Sequence, residues 1–356
     1  MQTFKDYSLL HANTFGIDQK CDEYLVFENE RDAVEAALGL RGSGKPYLLI
    51  GGGSNLLLTR DFHGVVITPA KRFDISVILR QGSNEPMLRC WAGTTFDDVV
   101  DYAVRHGYHG LENLSLIPGE CGASAVQNIG AYGAEIKDVV SEIEAVEIAT
   151  GRVVRIAAGD CDYSYRQSRF KHEWKDKYII LYVTYQLSRA FHPDLDYGNI
   201  RHELEAKGIS EEKLTAEELR ETIIGIREAK LPDPAVMGNG GSFFMNPIVD
   251  GDTFGKLKAA HPDLRYYEVS ASEAPASRKP VNTQEVFYKI PAGWLIDQCG
   301  WKGRSLGRAG VYDKQALILV NKGGATGQEI VDLMHAIQKD VKEKFGLELK
   351  PEVNVV

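Results

Sequence analysis

Residues 114–133 read LSLIPGECGASAVQNIGAYG, and over these roughly twenty positions the apolar periodicity of the chain stops. A loop of this length inside a compact domain is usually functional or disordered, and its small, glycine-rich, nearly uncharged residues argue against disorder. On its N-terminal side, YLVFEN reads as a strand, RDAVEAALGLR as a helix, and KPYLLIGGGSNLLLT as a strand running into a glycine turn. GVVITP and ISVILRQGSNEPMLRCWAG follow, the latter with a turn at its middle. TTFDDVVDYAVRHG then reads as a helix whose Thr95 and Asp98 form a capping box.

On the C-terminal side, EIEAVEIATGRVVRI reads as two strands about a TGR turn, and YIILYVTYQLSR is too apolar for a strand exposed on both faces. A helix capped at Thr215 ends sharply at LPDP, where a domain boundary is expected. Beyond it come GSFFMNPIV as a strand, PAGWLIDQCG as a short helix, ALILV as a strand, TGQEIVDLMHAIQKDVKEKFG as a long amphipathic helix, and LELKPEVNVV as a closing strand. The alternation of strands and helices makes the fold class mixed α/β and α+β. A chain of 356 residues is expected to form more than one domain.

Bulk properties narrow the function. With 44% hydrophobic and 26% charged residues, the chain has the composition of a soluble globular protein. A net charge of -9 argues against a nucleic-acid binder, which needs many cations against phosphates. The cysteines are scattered without a CxxC pair, so neither a zinc site nor a disulfide framework is expected, and no metal is indicated. The N-terminus lacks a basic start followed by an apolar stretch, and no apolar run reaches membrane-spanning length, so a cytoplasmic protein without membrane insertion is expected.

Each motif has a functional and an ordinary reading. GGGSN, Gly51 to Asn55, offers unobstructed backbone N–H groups to a phosphate, or is a tight turn. In YRQSRFK, Arg166 is either a ligand cation or a solvated surface residue. Arg227 and Lys230 in REAKLPDP stand at i and i+3 at a helix end, where cations also complement the dipole. In GNGGSFFMNP, residues 238–247, strand alternation sends Ser242 and Phe244 to one side and Phe243 and Met245 to the other. No GxSxG elbow marks Ser242 as a nucleophile. Glu352 of KPEV is either a surface carboxylate or, if buried, one available for acid chemistry.

The order of GGGSN, IPG with QNIGAYG, YRQSRFK, KLPDP, GNGGSFFMNP, AGWLIDQCG and PEV closely resembles the MurB family of flavoenzymes, the UDP-N-acetylenolpyruvoylglucosamine reductases of bacterial peptidoglycan synthesis. The likeness runs from end to end, and Tyr197 in DYGNI resembles the substrate-loop tyrosine of the type I subgroup. The resemblance implies a two-part FAD-binding region, residues 1–70 with 346–356 and residues 71–220 with the substrate-loop insertion. A C-terminal α+β substrate-binding domain would span 229–345. It implies noncovalent FAD at Gly51, Gly52, Gly53, Ser54, Asn55, Leu56, Ile117, Ala123, Ser124, Ile129 and Arg227, with Cys121 the position to check for a covalent tether. Substrate would meet Tyr132, Tyr165, Tyr197, Lys230, Asn246 and Gln298.

The implied reaction takes hydride from NADPH to FAD and on to UDP-N-acetylglucosamine enolpyruvate, giving UDP-N-acetylmuramate. The protein supplies position and charge. Hydride addition leaves a strongly basic carbon beside the substrate carboxylate, so Ser242 serves as proton donor while Arg166 and Glu352 flank the carboxylate. The implied partners are this substrate and NADPH, with a monomer expected. Met245 stands where the family commonly has lysine, Asn354 where arginine often follows PEV, and Ala125 where proline is common. Two other readings compete: an FAD oxidase using oxygen, and a catalytically silent nucleotide-sugar or flavin binder.

Overall fold

The computed structural model describes residues 1–79, 82–271, 280 and 284–356. The chain forms two compact units, one of Met1–Ser8, Lys20–Gly53 and Phe62–Ala229, the other of Leu9–Gln19, Ser54–Asp61 and Lys230–Val356. Residues 346–356 thus group with 54–61 and 230–345. Compactness says nothing of which stretch binds cofactor and which binds substrate.

In the first unit, the strands Gln2–Ser8, Lys20–Phe27, Phe62–Pro69 and Tyr47–Leu49 form one sheet in that order. The first pair is antiparallel and the others parallel. Parallel neighbours need a crossover, and the helix Glu30–Leu40 supplies it. Its small residues Ala33, Ala36 and Ala37 are buried against Leu25, Phe27, Val65 and Ile67 of this sheet, and against Trp91, Val146, Ile179 and Leu181 of the next. The second sheet is antiparallel throughout, in the order Arg152–Ala157, Val140–Glu147, Tyr178–Gln186, Pro86–Trp91, Ile75–Leu79. Arg80 and Gln81 of the turn expected between the last two strands lie outside the described residues.

Covering of the second sheet on both faces explains the near-continuous apolar run of Tyr178–Gln186. The register breaks where Glu144 pairs with Tyr182 and Ala145 with Ile180. An extra residue in one strand reverses the alternation. Ile179 and Leu181 accordingly join the cluster around helix Glu30–Leu40, whereas Val183 and Tyr185 pack with Phe96, Val99, Val100 and Ala103 of helix Phe96–Arg105.

Several sequence expectations need correction. Thr95 makes no side-chain cap at helix Phe96–Arg105. The long loop at 114–133 is not wholly irregular, for Cys121–Gln127 form a helix whose Cys121 and Ala125 are fully buried. Small residues suit that close approach, and Gly122 is pressed against Ala92, where an added Cβ would stand 3.0 Å from the alanine methyl. Thr215, by contrast, caps as expected: its hydroxyl accepts the Glu218 N–H at 3.2 Å and the Glu218 carboxylate accepts the Thr215 N–H at 2.9 Å.

The second unit contains the four-stranded sheet Gly238–Ser242, Ile318–Asn321, Ala309–Val311 and Ser305–Leu306, and a small three-stranded sheet of Ile248–Val249, Phe287–Lys289 and Tyr267–Val269. The stretch GSFFMNPIV is therefore not one strand: it is interrupted over 243–247, between Gly238–Ser242 and Ile248–Val249. The closing strand is short: Asn354–Val355 pair in parallel with Leu56–Leu57, while Pro351 bridges to Phe244. The helix Gly327–Phe345 begins in a capping box of Thr326 with Glu329 and ends at Gly346, whose φ of 70° suits a glycine. Among the described residues, no helix is long and apolar enough to cross a membrane.

Thr326→Ala removes the acceptor for the Glu329 N–H and is expected to lower unfolding free energy by about 1 kcal/mol. Urea denaturation measures this, and an unchanged midpoint would show that the cap contributes nothing.

Candidate functional site

The segment carrying Ser242 is bent by a bulge. Asn239 pairs with Val320 and Ser242 with Ile318, so the register shifts between them, and Gly241 takes a φ of 69° that side-chain-bearing residues avoid. Asn239 is 3% exposed and holds this bend through its side chain. Its Oδ1 accepts the Gly241 N–H at 2.9 Å, and its Nδ2 donates to the carbonyls of Met237 at 2.9 Å and Pro232 at 3.2 Å. Thr14, far away in sequence, fixes the same residue, donating its hydroxyl to the Asn239 carbonyl at 2.6 Å and accepting the Asn239 N–H at its own carbonyl at 3.0 Å.

Gly240 is required by close approach, since a Cβ there would lie 2.7 Å from the Phe15 ring. After the bulge the strand ends at Ser242. Phe243 and Phe244 are then both buried, at 0% and 1%, instead of pointing to opposite sides as simple alternation predicts. Their rings pack edge to face at 5.2 Å, and Phe15 meets Phe243 at 6.2 Å. Ser242 itself is exposed.

Glu352 is held beside this strand by its backbone. Its N–H donates to the Phe243 carbonyl at 2.8 Å, and its carbonyl accepts the Asn55 side-chain amide at 3.2 Å. Asn354 donates both its N–H and its side-chain amide to the Asn55 carbonyl, each at 3.1 Å. The residue standing where the family often has arginine thus serves to fix Asn55. Glu352 is half-buried and lies between two chain segments, not in a long strand. Ser242 and Glu352 therefore sit on hydrogen-bonded neighbouring segments of one unit.

In the same unit Asn246 accepts the Ala292 N–H at 2.8 Å, capping a helix whose Pro291 has no side chain to do so. Gln298 is exposed at the other end of that helix, Ala292–Gln298, about 10 Å away along a seven-residue axis, so the two do not touch one point. Lys230 is half-buried.

In the first unit, the helix Cys121–Gln127 and the turn after it gather several expected site residues. Leu116, Asn128, Tyr132 and Arg166 all adopt left-handed backbone, with φ of 58°, 45°, 48° and 57°. Such strain persists only where the surroundings enforce it, and it concentrates at functional sites. The Arg166 guanidinium donates to the Gly130 carbonyl at 2.6 Å and lies 5.3 Å from the Tyr165 ring. Asn113, 6% exposed, donates one amide group to the carbonyls of Tyr132 and Asp194 at 2.8 and 2.9 Å, tying the turn to the segment that carries Tyr197. Tyr132 and Tyr197 are brought close there: a Cβ added on Gly198 would stand 3.5 Å from the Tyr132 ring, and one on Gly133 would meet Tyr197 at the same distance.

Arg227 is the most informative side chain of the first unit. Its Nε is buried without a hydrogen-bond partner, and burial pushes its guanidinium below the usual arginine value while Tyr132 and Asp97 pull the other way. Tyr132 is in turn pushed up by burial and drawn down by Arg227. A buried cation with an open donor is costly unless an anion satisfies it. Nearby, Asp97 is already taken by Arg220, in two hydrogen bonds of 2.7 and 2.9 Å, and by the Leu116 N–H at 2.5 Å.

The remaining cofactor candidates are placed as follows. Gly53, with φ 68°, turns the GGGSN loop, and Ala123 packs under Gly51. Ile117 and Ile129 are half-buried flanking the helix. Ser124 is 1% exposed, donating its hydroxyl to the Cys121 carbonyl at 2.7 Å and pairing with the Tyr185 hydroxyl at 2.8 Å. Ser54 is half-buried and Leu56 buried. Cys121 is fully buried in the core around Tyr185.

Sequence reasoning missed Asn239, Asn113, Phe15 and Thr14. Asn239 had a local signal, an Asn within a glycine cluster, where its side chain can bond the backbone two residues on. Phe15 and Thr14 had none, because they act across more than 220 residues of chain.

Comparison with known proteins follows this geometry. Residues 233–356 match the model of the UDP-N-acetylenolpyruvoylglucosamine reductase C-terminal domain, and residues 23–157 match an FAD-binding domain. The chain is 46% identical over 354 residues to a UDP-N-acetylenolpyruvoylglucosamine reductase of Bacteroides fragilis, covering 98% of this chain and 99% of that one. It is 41% identical over 350 residues to its counterpart in Burkholderia ambifaria, covering 98% and 95%. The crystal structure of the Thermus caldophilus reductase superposes with a TM-score of 0.64 at 20% identity over 99% of this chain and 98% of that one, a likeness of fold.

Asn239→Ala is expected to cost about 1–3 kcal/mol of stability, because it strands the Gly241 N–H and two carbonyls. It is also expected to lower turnover by more than the lost folded fraction explains. Thermal unfolding with kinetics at a temperature where the variant is fully folded measures both, and normal turnover there would show that the bulge does not position Ser242.

Proposed function

The chain belongs to the UDP-N-acetylenolpyruvoylglucosamine reductase family, and from that premise we propose how its own residues divide the work. It is an FAD-dependent oxidoreductase, the UDP-N-acetylmuramate dehydrogenase of peptidoglycan precursor synthesis, with NADPH as hydride donor. FAD, when bound, supplies the hydride that adds to the enolpyruvyl group. Residues 1–70 with 346–356 and residues 71–220 serve the cofactor, and residues 229–345 serve the substrate.

The GGGSN loop and Arg227 fit an anionic dinucleotide. Gly51 to Gly53 carry no side chains of their own, and the buried Nε of Arg227, without a partner among the described residues, calls for a negatively charged oxygen. Gly51, Gly52, Gly53, Ser54, Asn55, Leu56, Ile117, Ala123, Ser124, Ile129 and Arg227 form the FAD contact set, Ser124 through packing because its hydroxyl is already engaged. Burial of Cys121 supports noncovalent attachment.

Ser242 donates the proton. The substrate carbon left after hydride addition is a far stronger base than an alkoxide, so a hydroxyl is acid enough if held in range. The single observation that carries this role is the bulge: Asn239, Gly240 and Gly241 spend several buried contacts to present one exposed hydroxyl ahead of two anchored rings. Glu352, clamped beside Phe243, and Arg166, braced on Gly130, bear on the substrate carboxylate as charge accumulates. Tyr132, Tyr165, Tyr197, Lys230, Asn246 and Gln298 hold the nucleotide-sugar. Tyr197, exposed at 39% beside Gly198, closes over it.

Ser242→Ala is expected to slow product formation by about a hundred- to ten-thousandfold, the usual worth of a positioned acid, while NADPH still bleaches the flavin band at a near-normal rate. Stopped-flow absorbance separates the two half-reactions. Undiminished product formation would remove Ser242 from the chemistry. Arg227→Met should weaken FAD binding by about tenfold or more yet leave the FAD-depleted chain as stable or more so, because it removes a largely desolvated charge whose Nε donor is open. Equal flavin affinity with lower stability would mean that Arg227 is structural.

A further inference from the structure

The GGGSN loop has an anion of the chain's own against it. Glu120, 6% exposed, accepts the Gly52 N–H with its carboxylate, and an added Cβ on Gly51 would stand 2.6 Å from the same oxygen. The other carboxylate oxygen lies 3.8 Å from the ammonium of Lys71, a side chain 72% exposed. One carboxylate therefore covers two successive glycines of the loop. A backbone N–H gives its strongest hydrogen bond to one ionised acceptor at a time, and a second anion at the same place also meets like-charge repulsion.

We propose that Glu120 is an internal competitor for the Gly51–Gly53 loop, setting how tightly that loop takes the diphosphate of a dinucleotide. The inference rests on the placement of FAD at this loop proposed above. The backbone of Glu120 does not take part in the exchange: its carbonyl accepts the Ser124 N–H at 3.0 Å, and the next residue, Cys121, donates to the Thr94 carbonyl at 2.9 Å. Motion is confined to the side chain, which rotates off Gly52 before a phosphate oxygen takes the N–H, with the exposed Lys71 ammonium able to pair with either anion. Affinity is then reduced by the fraction of molecules in which the loop is unmasked. Glu120 thus acts on the loop's N–H groups and forms no part of the reacting set.

The test uses the full-length holoenzyme. Serial dilution with recovery of free-flavin fluorescence gives Kd for FAD, and the time course gives the release rate. Glu120→Gln, similar in size and uncharged, should lower Kd by about tenfold or more and slow release, and Glu120→Ala should do the same if the glutamine variant fails to fold. Unchanged or weaker binding in both variants overturns the proposal. Gly52→Val keeps the two readings apart. If it retains wild-type FAD affinity, the placement of the diphosphate is wrong and the competitor falls with it. If it loses FAD while Glu120→Gln binds as wild type does, the placement stands and the competitor role alone is refuted.

Discussion

A single buried amide governs the segment of this protein that carries Ser242. Asn239 satisfies the Gly241 N–H within the bulge of GNGGS and the carbonyls of Pro232 and Met237 just ahead of the strand. Without it, Gly241 has no reason to stay in a left-handed conformation, and Ser242 loses its register against Ile318. The rest of the second unit elaborates this constraint. Phe15 and Thr14 close the back of the bulge, Phe243 and Phe244 anchor its exit, and the C-terminal segment ties Glu352 to the same strand by a backbone hydrogen bond. The two groups meant to manage a proton and a carboxylate are positioned by main chain, which is stiffer than side-chain packing alone.

The first unit solves a different problem, the cost of charge. Arg220 and Asp97 neutralise each other at 12% and 21% exposure and brace Leu116 of the glycine-rich segment, whereas Arg227 is buried with an open donor. A buried donor left open in this way does not serve stability. Its natural complement is an anionic ligand, and the family's cofactor and substrate both carry diphosphates. The left-handed residues of the same unit, Tyr132 and Arg166 among them, are strained positions of the kind that binding sites keep.

Much of this was legible in the sequence because local rules applied. The helix after Thr326 and the one after Thr215 carry capping boxes, and both begin where those boxes sit. The apolar run at 178–186 indicates a strand not exposed on both faces, and its side chains join a core cluster on each side. Motif order was enough to indicate the family. Local rules failed where tertiary contacts prevailed. Thr95 makes no cap, and Cys121–Gln127 became helical although glycine and serine disfavour it, because Cys121 and Ala125 bury against the sheet. Alternation failed after Ser242 because a bulge and a strand end intervene within four residues of Asn239. The Glu120 carboxylate on Gly52 crosses 68 residues, and no periodicity announces it.

The central claim is that the fold presents the Ser242 hydroxyl to the substrate carbon that must be protonated. Its most direct measurement is a crystal structure of the FAD-loaded enzyme with UDP-N-acetylglucosamine enolpyruvate. The account predicts Ser242 Oγ within about 3 Å of the carbon bearing the carboxylate, with the bulge at Gly241 retained. A serine side chain rotated away, with another donor or an ordered water in that position, would contradict it.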